Sequence, residues 1–266
     1  MVNKLVSRFP RHRMYVEPFC GSAVVLLNKK PSFVEVINDK DDDIINLFNV
    51  VKYKMEEFYE QFRYTFTART TFYRLSNTDP SKLTDVERAF RFFYLQKHAM
   101  NGIPTRRNFK TNRKSKQGIT YKKLKRVLDT VYERIKDVKI ENTDYKEIFR
   151  CYDDHNNFFY LDPPYQENTS SGRKCEYAHN FNIDDFRDLK RCCLDMKGKF
   201  LMSINDTPFI RKLFKDFNIS TIAHTWGTKS RVGSNNSVEE LLISNYDAKV
   251  KRYPLKTRQG GFNVFV

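Results

Sequence analysis

Apolar residues recur along this chain with two different periods, and each period occupies its own stretches. Short runs rich in β-branched and aromatic side chains read as buried strands: Met14-Tyr15-Val16, Phe33-Val34-Glu35-Val36-Ile37, Phe158-Phe159-Tyr160-Leu161 and Phe200-Leu201-Met202-Ser203-Ile204. Helical stripes alternate with them. Phe186, Leu189, Cys193 and Met196 share one helical face, with the helix end predicted at Gly198 as a C-cap. This βα alternation predicts an α/β fold with a mostly parallel sheet. The last two apolar runs, residues 219–226 and 241–246, have no helical stretch between them and predict an antiparallel pair closing one edge.

The middle of the chain follows the helical period throughout. Met55, Phe58, Tyr59, Phe62 and Phe66 recur at i, i+3, i+4, i+7 and i+11; Val86, Ala89, Phe90, Phe93 and Tyr94 form a second stripe, and Tyr121, Leu124, Val127, Leu128, Val131 and Ile135 a third. Residues 53–140 therefore read as a helical subdomain, flanked by sheet-forming segments 1–52 and 141–266. Within it, residues 101–126 carry Arg106, Arg107, Lys110, Arg113, Lys114, Lys116, Lys122, Lys123, Lys125 and Arg126 without one acid. Gly102, Pro104, Asn108, Asn112 and Gly118 break any helix in the first half of this island, which predicts a reaching loop or hairpin.

Composition narrows the function classes. The 266 residues carry a formal charge of +16, and 40% are hydrophobic, so the charge sits on a folded body and not on a disordered polyelectrolyte. No apolar run reaches the roughly 18 residues that span a bilayer, and residues 1–13 lack a signal-peptide core, which predicts a cytoplasmic protein without a membrane partner. Five cysteines, Cys192 and Cys193 adjacent among them, lack zinc or disulfide spacing and read as free thiols, most of them packing residues. His98, His155, His179 and His224 show no ligand spacing and read as surface or edge residues; no metal is expected. Such a positive surplus selects a polyanionic partner, nucleic acid before membrane.

Two segments carry chemistry. The first strand runs into Glu17-Pro18-Phe19-Cys20-Gly21-Ser22, a glycine turn that lets a ligand approach the backbone. After the second strand comes Asn38-Asp39, where an acceptor-only carboxylate suits the two hydroxyls of a ribose, or equally caps the helix over residues 43–52. The strongest signal is Asp162-Pro163-Pro164-Tyr165, directly after an apolar strand. Two prolines lock the backbone there, so Asp162, the Pro163 carbonyl and the Tyr165 ring are presented rigidly at the strand edge where α/β sheets bind ligands. A nucleobase amine is a poor nucleophile because its lone pair is delocalised into the ring. Two acceptors gripping its N–H groups turn that lone pair toward an electrophile, and a tyrosine ring can stack on the base.

The ordered set of segments resembles the Dam-type adenine-N6 DNA methyltransferases, most closely their phage-borne members, over essentially the whole chain. The matching segments are residues 15–23, Val36-Ile37-Asn38-Asp39, Ile44-Ile45-Asn46-Leu47-Phe48, Phe92-Phe93-Tyr94-Leu95-Gln96, Asn142-Thr143-Asp144-Tyr145, Asp162-Pro163-Pro164-Tyr165, Ser203-Ile204-Asn205-Asp206-Thr207-Pro208 and Glu239-Glu240-Leu241-Leu242-Ile243. The resemblance implies a class I, Rossmann-like methyltransferase sheet that binds S-adenosylmethionine, with a target-recognition domain inserted at residues 53–140. Pro18, Phe19, Gly21 and Ser22 then lie against the cofactor, Asp39 holds its ribose, Asp144 and Tyr145 recognise its adenine, and Asp162 borders both cofactor and target. Asp162, Pro163, Pro164 and Tyr165 hold the target adenine. Asn101, Arg106, Arg107, Asn108, Lys110 and Arg113 of the basic arm contact duplex DNA, some through phosphates and some through base edges.

The resemblance also implies site-specific transfer to N6 of an adenine flipped out of the duplex, by a monomer, in a bacterial or phage-infected cytoplasm. The family's usual Gly-Gly-Lys segment would fall just before Met1; Ala23 stands where many relatives have glycine, and Tyr145 where Phe is usual. A DNA-binding homologue with weak or lost catalysis, a cytosine-N4 methyltransferase and an RNA methyltransferase are the competing readings.

Overall fold

A computed structural model describes residues 1–65, 67–99, 109, 121–165, 181–225 and 237–250. In chain order the elements are α1 Val2–Val6, β1 Met14–Glu17, α2 Val24–Asn28, β2 Val34–Asn38, α3 Asp42–Tyr53, α4 Met55–Glu60, α5 Arg69–Asn77, α6 Asp85–His98 and α7 Tyr121–Ile135. They continue as β3 Lys139–Glu141, α8 Tyr145–Tyr152, β4 Asn157–Leu161, α9 Ile183–Asp195, β5 Lys199–Asn205, α10 Pro208–Leu213, β6 Asn218–Thr225 and β7 Ser237–Ser244. The strands form one sheet in the order β3-β2-β1-β4-β5-β7-β6. All pairings from β3 to β5 are parallel, and β7 runs antiparallel to both β5 and β6. The two late apolar runs are thus the antiparallel pair that their missing helix predicts.

Alternation along the strands separates two cores. Tyr15, Ile37, Phe158, Tyr160, Leu201 and Leu242 face one layer. Their neighbours Val16, Val36, Phe159, Leu161, Phe200, Met202, Leu241 and Ile243 face the other, together with α8 and α9 residues such as Phe149 and Leu189. Both faces are covered, which is why these strands read as continuous apolar runs. Helices α4 to α7 join the first layer: Phe58, Phe62, Phe93, Leu128 and Val131 belong to the same buried cluster as Tyr15 and Tyr160.

Local signals set the helix ends. Thr84 and Glu87 form a capping box that starts α6, and Asn182 with Asp185 does the same for α9. Three expectations fail locally. Gly198 is not a C-cap: α9 ends at Asp195, and Gly198 is needed because an added Cβ would lie 2.9 Å from the Asp154 carbonyl oxygen and 3.0 Å from that of Asn157. The first mid-chain stripe is not one helix, since α4 covers only Met55–Glu60 and a turn carries Phe62 into the core. His98 is buried, not superficial, because it lies four residues beyond Tyr94 on the inner face of α6, with ring centroids 4.4 Å apart.

A buried ionic cluster clamps α2, β2 and α7. The Glu35 carboxylate accepts from Lys29, from both terminal nitrogens of Arg134 and from the Ser32 backbone N–H. Burial draws Lys29 down to about 8 against the pull of Glu35. Removing Glu35 would leave the buried Lys29 ammonium and the half-buried Arg134 guanidinium without their carboxylate, so Glu35→Ala is expected to cost about 3 kcal/mol in urea unfolding, with the unfolding slope unchanged.

Candidate active site

The strand order reverses between β1 and β4, and the chain segments leaving these two strands diverge into a crevice. On one side lies the turn after β1. The Asn38 side chain, almost fully buried, ties three strand ends together: its amide donates to the carbonyls of Pro18 at 2.9 Å and Thr143 at 3.0 Å, and its oxygen accepts the Thr143 N–H. The Cys20 N–H donates to the Asn38 carbonyl. Gly21 adopts a left-handed φ of 45°, and a Cβ there would meet nothing within 4 Å, so open space lies over the turn. Ala23 also has positive φ, 49°, which is the reason glycine suits this position.

Asp39 closes this turn from β2. One carboxylate oxygen accepts the Gly21 N–H at 2.8 Å and the other the Asp41 N–H at 2.9 Å. Asp41, not Asp39, caps α3, which removes the capping alternative. Burial raises Asp39 above the usual carboxylate range, while the N–H donors of Asp41 and Gly21 oppose the rise. The Lys40 N–H also bears on this carboxylate, which leaves part of its acceptor capacity unused. Next to it, Asp144 caps α8, and the rings of Phe19, Tyr145 and Phe181 converge with centroids 5.2 to 5.8 Å apart. A cleft of about 490 Å³ opens beside them, lined by Lys40, Asp41, Asp144 and Arg88 among others.

On the other side stands the segment after β4. Asp162 is accessible from the crevice, yet its carboxyl sits against protein. Ser203 on β5 donates to it at 3.0 Å, and the Ser203 hydroxyl is itself 2.7 Å from the Tyr160 hydroxyl. Burial pushes Asp162 up to about 7; the Ser203 hydrogen bond lowers it and the charge of Glu240 raises it further. The Tyr165 hydroxyl donates to Glu240 on β7 at 2.8 Å. Glu17, at the end of β1, accepts from Tyr15 at 2.8 Å and is pushed up to about 8 by burial, with Asp162 adding to the rise.

A family model, the D12 class N6 adenine-specific DNA methyltransferases, matches residues 1–227. The chain belongs to this family. Among its relatives are a type II methyltransferase of Methanocaldococcus jannaschii, 30% identical over 88% of this chain and 89% of the relative. A type II methyltransferase of Lactococcus lactis subsp. cremoris is 27% identical over 89% and 87%, and the DNA adenine methylase of Escherichia coli 23% identical over 91% and 90%.

In this adenine-specific methyltransferase the residues singled out by sequence fall into two groups at one sheet edge. Pro18, Phe19, Gly21, Ser22, Asp39, Asp144 and Tyr145 surround the β1, β2 and β3 ends, and Asp162, Pro163, Pro164 and Tyr165 follow β4. Asn101, Arg106, Arg107, Asn108, Lys110 and Arg113 lie outside the described residues, as do Trp226 and residues 231–236. Among the described residues no metal-binding cluster occurs and no helix is long and apolar enough to cross a membrane. Sequence reasoning missed the site roles of Glu17, Asn38, Ser203 and Glu240. The signal was present: each is a polar residue in or flanking an otherwise apolar strand run.

Glu17 titrates in the fold near 8 against an ordinary 4.5. Its protonated form is favoured by folding, so its stabilising effect is complete below about pH 4.5 and is lost as pH rises through about 8. Glu17→Gln, which keeps an acceptor for Tyr15, is therefore expected to unfold at a urea midpoint that falls less between pH 5 and pH 8 than wild type does.

Proposed function

We propose that this methyltransferase transfers a methyl group from S-adenosylmethionine to N6 of an adenine flipped out of duplex DNA, at specific sites. The observation that carries the reading is the Asp162 carboxyl, fixed by Ser203 beside the Pro163 carbonyl and the Tyr165 ring at the switch point of the sheet. Its relatives carry names such as DNA adenine methylase, which supports DNA as substrate.

The residues fit the cofactor. Gly21 leaves open space over a turn that a side chain would fill, Asp39 offers its remaining acceptor capacity to a ribose hydroxyl, and Phe19 and Tyr145 supply apolar walls beside the Asp144 carboxylate. When bound, S-adenosylmethionine supplies an electrophilic methyl group on a sulfonium. The protein's part is positioning. Asp162 and the Pro163 carbonyl accept the two N–H groups of the target amine, so its lone pair leaves conjugation with the ring and faces the crevice. Tyr165 stacks on the base and resists its return to the duplex. Holding two reactants in this geometry supplies much of the acceleration.

Residues 53–140 act in this reading as the target-recognition region and residues 1–52 with 141–266 as the catalytic domain. The basic arm of Asn101, Arg106, Arg107, Asn108, Lys110 and Arg113 grips phosphates and reads base edges, so binding weakens steeply with salt.

Asp162→Ala is expected to lower methyl transfer to unmethylated duplex DNA by about a thousandfold or more, while filter binding of the same duplex stays within about twofold. Nucleoside analysis of the product should show N6-methyladenine; N4-methylcytosine, or transfer to RNA in preference to DNA, would replace the reading. Asp39→Ala should act differently, weakening S-adenosylmethionine binding in calorimetry by about tenfold or more with duplex affinity unchanged. Equal calorimetric affinity in wild type and variant would remove Asp39 from the cofactor site.

A further inference from the structure

Strand register brings a set of polar side chains to one layer at the catalytic edge. Leu161 pairs with Met202, so the next residues, Asp162 and Ser203, are neighbours on the face that also carries Tyr160. Asn205 pairs with Glu240 across the antiparallel ladder, which sends Glu240 to that same face and under Tyr165. Ser203 and Glu240 are both fully buried. A serine and an acid inside an apolar layer each cost free energy unless hydrogen-bonded. Here Ser203 bonds to both Asp162 and Tyr160, and Glu240 accepts from Tyr165, so each meets one end of the Asp-Pro-Pro-Tyr segment.

We propose that Ser203 and Glu240 are positioning residues for methyl transfer: Ser203, backed by Tyr160, fixes the Asp162 carboxyl, and Glu240 fixes the Tyr165 ring. The proposal rests on the reading of Asp162 and Tyr165 as base-binding groups. The two prolines stiffen the backbone between these groups but leave the χ angles of Asp162 and Tyr165 free. Those angles decide where the carboxylate oxygens point and where the ring plane lies. Strands β5 and β7 supply the missing constraints, so the segment that holds the base is clamped at both ends by the sheet. A ring tied through its hydroxyl keeps its face for stacking and has no hydroxyl donor to spare for the base.

Among the described residues, the groups facing Asp162 are Glu17 from β1, Tyr160 from β4, Ser203 from β5, Glu240 from β7 and Tyr165 of its own segment. Ser203 donates to the ionised carboxyl and favours it, whereas the charge of Glu240 disfavours it. The two positioning residues therefore displace the Asp162 titration in opposite directions, which a general loosening of the fold would not do.

The test follows the Asp162 carboxyl directly, by carbon-13 NMR of the full chain labelled at aspartate side-chain carboxyls, with Asp162→Asn assigning the resonance. Ser203→Ala should move the Asp162 midpoint up by roughly one pH unit, and Ser203→Thr, which keeps a hydroxyl, should restore it. Glu240→Gln should move it down while still accepting from Tyr165. In turnover on unmethylated duplex DNA, Glu240→Ala and Tyr165→Phe should each lower kcat by about tenfold, with KM for S-adenosylmethionine within about twofold, and the double variant should be no worse than either. Midpoints that move in the same direction, or losses that multiply in the double variant, would overturn the proposal. Opposite NMR shifts in a protein that methylates no DNA would instead leave the clamp standing and overturn the function on which its catalytic meaning rests.

Discussion

Three carboxyl groups, Glu17, Asp162 and Glu240, are carried into or against the interior by the pleat of the strands that hold or precede them, and the arrangement of the site follows from where their donors are found. Glu17 and Glu240 are buried and must find protein donors, while Asp162 stands at the accessible rim with one side against β5. Glu17 takes the Tyr15 hydroxyl, Asp162 takes Ser203, and Glu240 takes Tyr165. Burial drives both Glu17 and Asp162 up toward neutrality, and the charge of Asp162 on Glu17 and of Glu240 on Asp162 adds to the rise.

The turn after β1 depends on a different device, a single asparagine. Asn38 links the ends of β1, β2 and β3 through both its amide and its carbonyl oxygen. Its neighbour Asp39 then reaches back to the Gly21 N–H. The turn after β1 is thus held by residues from the next strand, and its left-handed Gly21 and Ala23 are kept in place by that frame. Strain of this kind persists only where the surroundings over-determine it.

The helices between α3 and β3 are not a separate body attached by a linker. Phe58, Phe62, Phe93 and Leu128 share one buried cluster with the sheet residues Tyr15 and Tyr160, and the Glu35 ion cluster ties α7 to β2. The described part of this helical region is therefore packed directly on the layer that also holds Tyr15 and Tyr160. Shared packing of this type fixes orientation more tightly than a hinge would.

Much of the fold was legible in the chain alone, because it rests on local rules. Two-sided burial shows as continuous apolar runs at β1, β2, β4 and β5, the absence of a helix shows the antiparallel pair, and double proline marks the rigid segment after β4. The short strand β3 carried no such signal, having one exposed and two half-buried residues. Sequence by itself determined which residues could do chemistry: Asp39, Asp144, Asp162 and Tyr165 stand at strand ends whatever the packing. Only the tertiary structure decided what surrounds them. That Asp39 serves the glycine turn and leaves the helix cap to Asp41, that Ser203 and Glu240 meet the two ends of the Asp-Pro-Pro-Tyr segment, and that His98 is interior, all depend on strand register and on contacts between residues far apart in the chain. A periodic pattern fixes which face a residue occupies, but the partner across that face is set by how the layers come together.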